Sequence, residues 1–323
     1  MDKKAIWIGT GLTALGIAAE VMSHRVTHQL ANIALDRHCP RKMSSTAARR
    51  FTGCGENSAF FTVLEQKKRV FQRQPHEIIH IFGNDGTPLT GHWFPCQNPK
   101  RVVLAMHGWR SCWSRDFGSV WQFFRKNGCS VLYAEQRGQQ NSGGDFIGLG
   151  MLERYDCLAW LHKLRTLTSP QLPLYLGGVS MGASTVLMAA GLSLPQNVRG
   201  IIADCGFTSA YDIGRHILRD NLHLPFHFSH RTVDRILAKK LQIPPQGAST
   251  LEALKKTTLP VLLLHGAKDH FVPLEMSLRN YDACNGPKKL VIFPDADHGM
   301  CHFSDPVRYE KAILDFWQRY DPV

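Results

Sequence analysis

Residues 173–192 decide the fold, and they read Pro-Leu-Tyr-Leu-Gly-Gly-Val-Ser-Met-Gly-Ala-Ser-Thr-Val-Leu-Met-Ala-Ala-Gly-Leu. The start of this stretch is typical of a buried strand, and residues 183–192 are typical of a helix. The pattern G-x-S-x-G, Gly178 to Gly182, lies between them. A sharp strand-to-helix turn needs glycines for close approach, and it leaves Ser180 on a strained backbone with its hydroxyl exposed. The alternative is a structural turn in which Ser180 only caps the helix.

A serine hydroxyl needs a base that removes its proton, and the base needs a carboxylate that orients it. Asp269 follows the apolar run 259–264, and His298 follows the run 290–293. Loops at the carboxyl ends of parallel strands meet at one edge of the sheet. The sequence therefore predicts a catalytic triad of Ser180, His298 and Asp269, with Asp204 as the alternative acid.

An oxyanion that forms at the attacked carbonyl needs two main-chain N–H donors. Met181, directly after the serine, is the first candidate. The second is Trp109, in the loop after the strand that ends at Met106, where Gly108 allows the chain to turn. The alternative for His107-Gly108 is a plain strand-ending turn.

The rest of the chain alternates short apolar runs with helical patterns. A hairpin is predicted for residues 77–94, and it is followed by strands at 101–106, 130–134, 173–176, 200–203, 259–264 and 290–293. This order predicts a mainly parallel sheet that is covered by helices on both faces. Residues 207–257 are too many for a simple crossover, so we interpret them as an inserted helical lid.

A few residues of the lid and loops are candidates for the substrate pocket. His107, Phe207, Phe226 and Phe271 follow strands or lie in the insert, and apolar rings there suit an acyl chain. The alternative for each ring taken alone is core packing.

The N-terminal segment has its own composition. Residues 5–19 carry no charge, and this run of fifteen residues is slightly shorter than a bilayer span requires. Residues 1–75 hold 12 basic and 5 acidic residues, and this excess favours anionic lipid headgroups. We predict a hydrophobic helix at 1–37 that acts as a membrane anchor, with a basic connector at 38–75 and a catalytic domain at 76–323. A cleaved signal peptide and a surface-lying helix are the alternatives. Basic residues flank both sides of the run, so the sequence does not indicate which side of the membrane the enzyme faces.

Cysteine and histidine usage bears on other classes of function. The 323-residue chain has nine cysteines, an odd number without a C-x-x-C pair, which is unlike a disulfide framework or a zinc site. Sixteen histidines include no H-E-x-x-H motif, so we expect no metal and no organic cofactor. No zinc-finger spacing or RNA-binding signature is present, and we expect no nucleic-acid partner.

Together these motifs resemble the α/β-hydrolase superfamily, and in particular its serine aminopeptidase-like or Bem46-like bacterial branch, which includes monoacylglycerol-lipase-like enzymes. The motifs that carry the resemblance are His107-Gly-Trp-Arg-Ser111, Gln136-Arg-Gly138, Glu153-Arg-Tyr-Asp156, Gly178-Val-Ser-Met-Gly182, Gly266-Ala-Lys-Asp269 and Asp297-His-Gly299. The resemblance implies an eight-stranded sheet over residues 76–320, and an N-terminal hydrophobic helix is common in the branch. One departure is Glu135-Gln-Arg-Gly-Gln-Gln140, where many relatives have Asp-x-Arg-Gly-His-Gly. We expect Glu135 and Arg137 to be structural, with Asp156 or Glu153 as their partner.

The expected function is hydrolysis of a carboxylic ester, with a small acyl ester or lipid-like substrate. A peptidase or amidase with the same triad, an acyltransferase or thioesterase, and a non-catalytic binding protein on the same fold are the alternatives.

Overall fold

The computed structural model describes residues 25–26, 28–38, 58–223, 230–242 and 249–321. Within these ranges there is one eight-stranded sheet. Its strands are β1 (Glu77–Phe82), β2 (Pro88–Phe94), β3 (Arg101–Met106), β4 (Cys129–Ala134), β5 (Leu174–Val179), β6 (Val198–Asp204), β7 (Val261–Gly266) and β8 (Lys288–Phe293). The predicted fold class, a mainly parallel eight-stranded sheet with helices, is confirmed.

The strand order is β1-β2-β4-β3-β5-β6-β7-β8. β1 pairs with β2, and β2 with β4, in antiparallel register, while every later pair is parallel. The strands β3, β5, β6, β7 and β8 are therefore consecutive neighbours, and their carboxyl ends lie along one edge.

Helices connect the strands. They are α1 (Ser58–Gln72), α2 (Trp113–Asp116), α3 (Trp121–Lys126), α4 (Glu153–Leu167), α5 (Met181–Ala189), α6 (Ala210–His216), α7 (His230–Leu241), α8 (Thr250–Leu254), α9 (Leu274–Ala283), α10 (Cys301–Ser304) and α11 (Pro306–Tyr320). A π-helical turn, Ile217–Asn221, extends α6. The described part of the insert at 207–257 contains α6, the π-helical turn, α7 and α8.

Alternate residues of each central strand face opposite sides of the sheet, as the two-residue period of a strand requires. In β3, Val103 and Ala105 pack with the aromatic core that contains Trp317 of α11. Val102, Leu104 and Met106 pack with the other core, which contains Trp160 of α4. Both faces are thus buried, which explains why these strands are continuous apolar runs.

Two segments have details that the sequence pattern does not predict. The helical spacing of residues 115–127 favours a single helix, but the structure has α2 and α3 here, with a break between them. The break lies at Gly118, where a side chain would clash with the main chain of Ser114 and press on that of Lys68 in α1. Helix α1 falls in the predicted connector, and its Phe71 is fully buried among the aromatic residues of the core.

Most of the predicted N-terminal hydrophobic helix lies outside the described residues. Its described end, residues 28–35, is helical and is called here the N-terminal helical segment. Across the described ranges, no helix is both long and apolar enough to cross a membrane. All seven cysteines in the described ranges are free thiols: Cys96, Cys112, Cys129, Cys157, Cys205, Cys284 and Cys301.

The contact between α5 and β3 allows no side chain at Gly182, because a Cβ there would collide with the main-chain carbonyl oxygen of Met106. We expect Gly182→Ala to lower the free energy of unfolding by at least about 3 kcal/mol, measured by urea denaturation. Gly177→Ala is the matched control, because its Cβ would meet Val103 at an ordinary 3.6 Å. The control should stay within about 1 kcal/mol of wild type. Equal stability of the Gly182 variant and wild type would contradict this packing.

Candidate active site

The strand-to-helix turn places Ser180 in an unusual conformation. Its φ of 56° and ψ of −119° are rare for a residue with a side chain. The main-chain N–H of Ser180 donates to the Asp204 carbonyl at 2.8 Å, which ties the turn to β6. The Ser180 side chain makes no capping hydrogen bond to α5. The interpretation that Ser180 only caps the helix is therefore wrong.

Ser180, His298 and Asp269 form one hydrogen-bonded chain. Ser180 Oγ lies 2.9 Å from His298 Nε2, and His298 Nδ1 lies 2.7 Å from Asp269 Oδ2. The three residues follow β5, β8 and β7, as the sequence predicts. With Nδ1–H donating to the carboxylate, Nε2 is left to accept the serine proton. This is the geometry that nucleophilic catalysis by a hydroxyl requires.

The Asp269 carboxylate is fixed by its own loop. Oδ1 accepts hydrogen bonds from the N–H groups of Phe271 and Val272, at 3.0 and 2.8 Å. His265, fully buried on β7, places Nε2 3.4 Å from Asp269 Oδ2. His265 is not among the residues predicted from the sequence, although its position four residues before Asp269 in the same motif was a signal.

Asp269 and His298 each stabilise the charged form of the other. Burial alone would raise the pKa of Asp269, but His298, with His265, lowers it well below its ordinary value. Burial alone would lower the pKa of His298, yet Asp269 first, and then Asp204 and Asp297, raise it above its ordinary value. Asp269 is therefore ionised at neutral pH, and the imidazolium that forms during proton transfer is stabilised.

Asp204, the alternative acid, lies at the end of β6 and does not hydrogen-bond His298. Burial raises the pKa of Asp204 to about 6, against hydrogen bonds from Cys301 and Tyr309. Its Oδ1 has no hydrogen-bond partner among the described residues. Asp269 thus occupies the position beside the imidazole, and Asp204 acts on it through charge alone.

The residues of the two predicted oxyanion donors lie near Ser180: Met181 follows it directly in the chain, and Trp109 lines the same cavity. Met181 is the first residue of α5, where main-chain N–H groups have no acceptor within the helix. The loop after β3 packs closely, because a Cβ on Gly108 would lie 3.3 Å from Ser180 Cβ. Asp116 Oδ2 accepts from the Gly108 N–H at 2.7 Å and holds this loop. No local pattern in the sequence indicated that role of Asp116.

An apolar cavity of about 100 Å³ opens beside Ser180. The predicted pocket residues Phe207 and Phe271 line it, together with Trp109. Its other lining residues come from the N-terminal helical segment and the lid: Leu30, Ala31, Ala34, Leu35, Leu149, Ala210, Ile213, Gly214, Ile217, Leu218, Ile236 and Leu237. Among the residues that the structure describes, the lining carries no charged side chain.

The other two predicted pocket residues, His107 and Phe226, are not among the described lining residues. His107 does not line the cavity: it is fully buried, with Nδ1 2.8 Å from the Gly108 carbonyl and Nε2 accepting from the Gln136 N–H. It supports the loop rather than contacting substrate, because both ring nitrogens are already used. Phe226 lies outside the described residues.

The expected structural role of Arg137 also has a clear geometry. Its guanidinium makes two hydrogen bonds to Asp156, at 2.6 and 2.5 Å, and a third to Asp85 at 2.7 Å. Glu135 instead accepts from His92 Nε2 and the Asn141 main chain.

One group of described residues has atoms close enough together to hold a metal ion, and it is Cys205, Asp269 and His298. Burial raises the pKa of the Cys205 thiol well above its ordinary value, so the sulfur stays protonated and is a poor ligand. The His298 and Asp269 atoms already bond each other. The donor chemistry of this group therefore fits proton transfer better than ion binding.

The sequence profile of the prolyl oligopeptidase family matches residues 115–321, a range that contains Ser180, Asp269 and His298. The chain belongs to the prolyl oligopeptidase family. This membership and the fold confirm the resemblance to the α/β-hydrolase superfamily and to serine aminopeptidase-like proteins.

Two curated relatives of this prolyl oligopeptidase family member are uncharacterized proteins. YqkD of Bacillus subtilis (strain 168) is 28% identical over 58% of this chain, and the match spans 62% of YqkD. YfhR of Escherichia coli (strain K12) is 25% identical over 74% of this chain and 80% of its own length.

Solved structures show the same fold. The Pyrococcus furiosus esterase Pf2001 has a TM-score of 0.62 at 20% identity, covering 77% of this chain and 94% of its own. A puromycin-hydrolyzing peptidase of Mycobacterium tuberculosis has a TM-score of 0.60 at 20% identity, covering 78% of this chain and 40% of its own. At such identities these similarities establish the fold alone.

The raised pKa of His298 depends on the Asp269 charge. We expect Asp269→Asn to lower the pKa of the His298 imidazole, because the largest effect that opposes burial is then removed and only Asp204 and Asp297 remain to raise it. Proton NMR of the histidine ring signals against pH measures this shift without any substrate. The control is Asp295→Asn. Asp295 is an exposed residue in the loop that carries His298, its carboxylate pairs with Lys268, and its substitution should leave the His298 titration unchanged. A His298 titration that is the same in both variants would contradict the electrostatic account.

Proposed function

We propose that the protein is a serine hydrolase that cleaves a carboxylic ester through an acyl-enzyme intermediate. The observation that carries the proposal is the chain from Ser180 Oγ through His298 to Asp269, at the wall of an apolar cavity. Every group needed for the reaction belongs to the chain itself, and the proposal uses no metal or organic cofactor.

In the first half of the reaction, Ser180 Oγ attacks the ester carbonyl carbon while His298 Nε2 takes the hydroxyl proton. The carbonyl oxygen becomes an oxyanion that the N–H groups of Met181 and Trp109 stabilise. His298 then gives its proton to the departing alcohol, and the acyl group remains on Ser180. Loss of one oxyanion donor typically costs about 10²–10³ in rate.

In the second half, water takes the place of the alcohol. His298 removes a proton from the water, and the resulting hydroxide attacks the acyl carbon. Ser180 leaves with the proton that His298 returns, and a carboxylic acid is released. Asp269 stays ionised throughout, because its pKa lies well below its ordinary value.

The preference for an ester with an apolar acyl part is supported by the described part of the cavity lining, whose side chains are uncharged. A peptidase that binds a free amino terminus needs a carboxylate in its site. The insert carries four acidic residues, and the side chain of one of them, Asp234, lies outside the described part of the structure. Asp212 is paired with Arg279, Asp220 with Arg219, and Glu252 with Lys255, and none of these acids lines the cavity.

A second candidate function is cleavage of an amide bond. It is favoured by membership of the prolyl oligopeptidase family and by the fold shared with a puromycin-hydrolyzing peptidase. The same triad serves both reactions, so substrate comparison distinguishes them.

We also infer that residues 1–37 attach the enzyme to a membrane, close to a lipid-like substrate. The uncharged run at 5–19 and the basic excess over residues 1–75 support this proposal.

The function is tested with p-nitrophenyl esters of increasing chain length, assayed beside aminoacyl p-nitroanilides. We expect turnover of esters, and we expect Ser180→Ala to lower kcat/KM by about 10⁴ or more, because no other group replaces the nucleophile. Ser180→Ala should also lose covalent labelling by a fluorophosphonate.

Ser169→Ala, an exposed serine, is the control and should keep wild-type rates and labelling. Undiminished turnover by Ser180→Ala would refute the proposal. Turnover of anilides without turnover of esters would favour the amide-cleaving alternative.

A further inference from the structure

The N-terminal helical segment forms one wall of the cavity, although it precedes the strands of the sheet in the chain. Leu30, Ala31, Ala34 and Leu35 line the cavity, and Leu35 is almost fully buried. Their spacing of one, three and four residues puts these side chains on one face of a helix. The facing wall is the lid, with Ile213, Ile217, Ile236 and Leu237.

The carboxyl end of this segment is bonded to the loop that carries a predicted oxyanion donor. Trp109 Nε1 donates to the Ala34 carbonyl at 2.8 Å. The Arg110 guanidinium donates to the carbonyls of Ile33 and Asp36, at 2.8 and 2.5 Å. The last carbonyls of a helix have no partner within the helix, and a cation stabilises that end. The loop after β3 thus supplies hydrogen-bond donors to the last carbonyls of the N-terminal helical segment.

Further bonds fix the segment from two other sides. The Leu35 carbonyl accepts from the Ile147 N–H at 2.6 Å, and the Arg37 N–H donates to the Asp145 carbonyl at 2.8 Å. Lys240 of α7 forms an ion pair with Asp36. The segment therefore has a defined position with respect to both the lid and Ser180.

We propose that the N-terminal helical segment determines which acyl chains the site accepts, with Ala31 and Ala34 as the specificity-determining residues. The acyl chain lies between the segment and the lid, with its carbonyl at Ser180. The two small side chains leave the space that a long chain occupies, and a bulky residue at either position shortens it. This inference rests on the proposed ester hydrolysis and adds to it the substrate class, an ester of an extended apolar acid.

The test is the chain-length profile of kcat/KM on p-nitrophenyl acetate, butyrate, octanoate and dodecanoate. We expect Ala31→Phe and Ala34→Phe to lose at least about tenfold on octanoate while acetate stays within about threefold, because only the longer chain reaches the filled space. Leu30→Ala enlarges the same space and should shift the preference towards dodecanoate. Gln29→Phe is the matched control, since Gln29 is exposed in the same segment and should leave the profile unchanged.

The outcomes separate this inference from the proposed function. If Ser180-dependent turnover is absent on every ester, both fail. If acetate is cleaved through Ser180 and the profile is the same in all four variants, the inference alone fails. It also fails if the phenylalanine variants keep native circular dichroism and lose all esters equally. Leu30→Ala still tests the inference even if Ala31→Phe or Ala34→Phe does not fold.

Discussion

The close contact between the start of α5 and the end of β3 is the constraint on which the site depends. Gly182 lies against the Met106 carbonyl, and Gly178 has its own main-chain contact with Gly182. Because the helix begins this close to the sheet, the chain turns within one residue, and Ser180 adopts a φ of 56°. The same turn projects the hydroxyl above the sheet edge and leaves the first N–H groups of the helix beside it.

The order of strands then decides which side chains reach that hydroxyl. Ser180 follows β5, while Asp269 and His298 follow β7 and β8, so the imidazole must extend over the end of β6. Neighbouring strands lie about 4.8 Å apart, and a tall side chain on β6 would block this path. Cys205, with φ of 49°, and Gly206 follow β6 directly, and the small Cys205 side chain lies next to the Asp269–His298 pair. The buried charge of Asp204 beneath it adds to the raised pKa of His298.

The sequence was sufficient for the parts of this arrangement that local patterns encode. Strand runs, the glycine–serine turn and the position of Asp269 and His298 after their strands predicted both the sheet and the three residues that it brings together. Two hydrogen bonds were not predictable: the one from the Gly108 N–H to Asp116, and the one from the Ile147 N–H to the Leu35 carbonyl. Such contacts leave no periodic signal in the sequence. His107 was misjudged because a histidine after a strand looks the same in sequence whether its ring nitrogens are free or bonded to the loop.

The most direct test of the account is a crystal structure of the protein after reaction with an octyl fluorophosphonate. The account predicts a bond from phosphorus to Ser180 Oγ, a phosphoryl oxygen facing the N–H groups of Met181 and Trp109, and the octyl chain between the lid and Ala34. Phosphorus on another residue, or an oxygen turned away from both N–H groups, would contradict it.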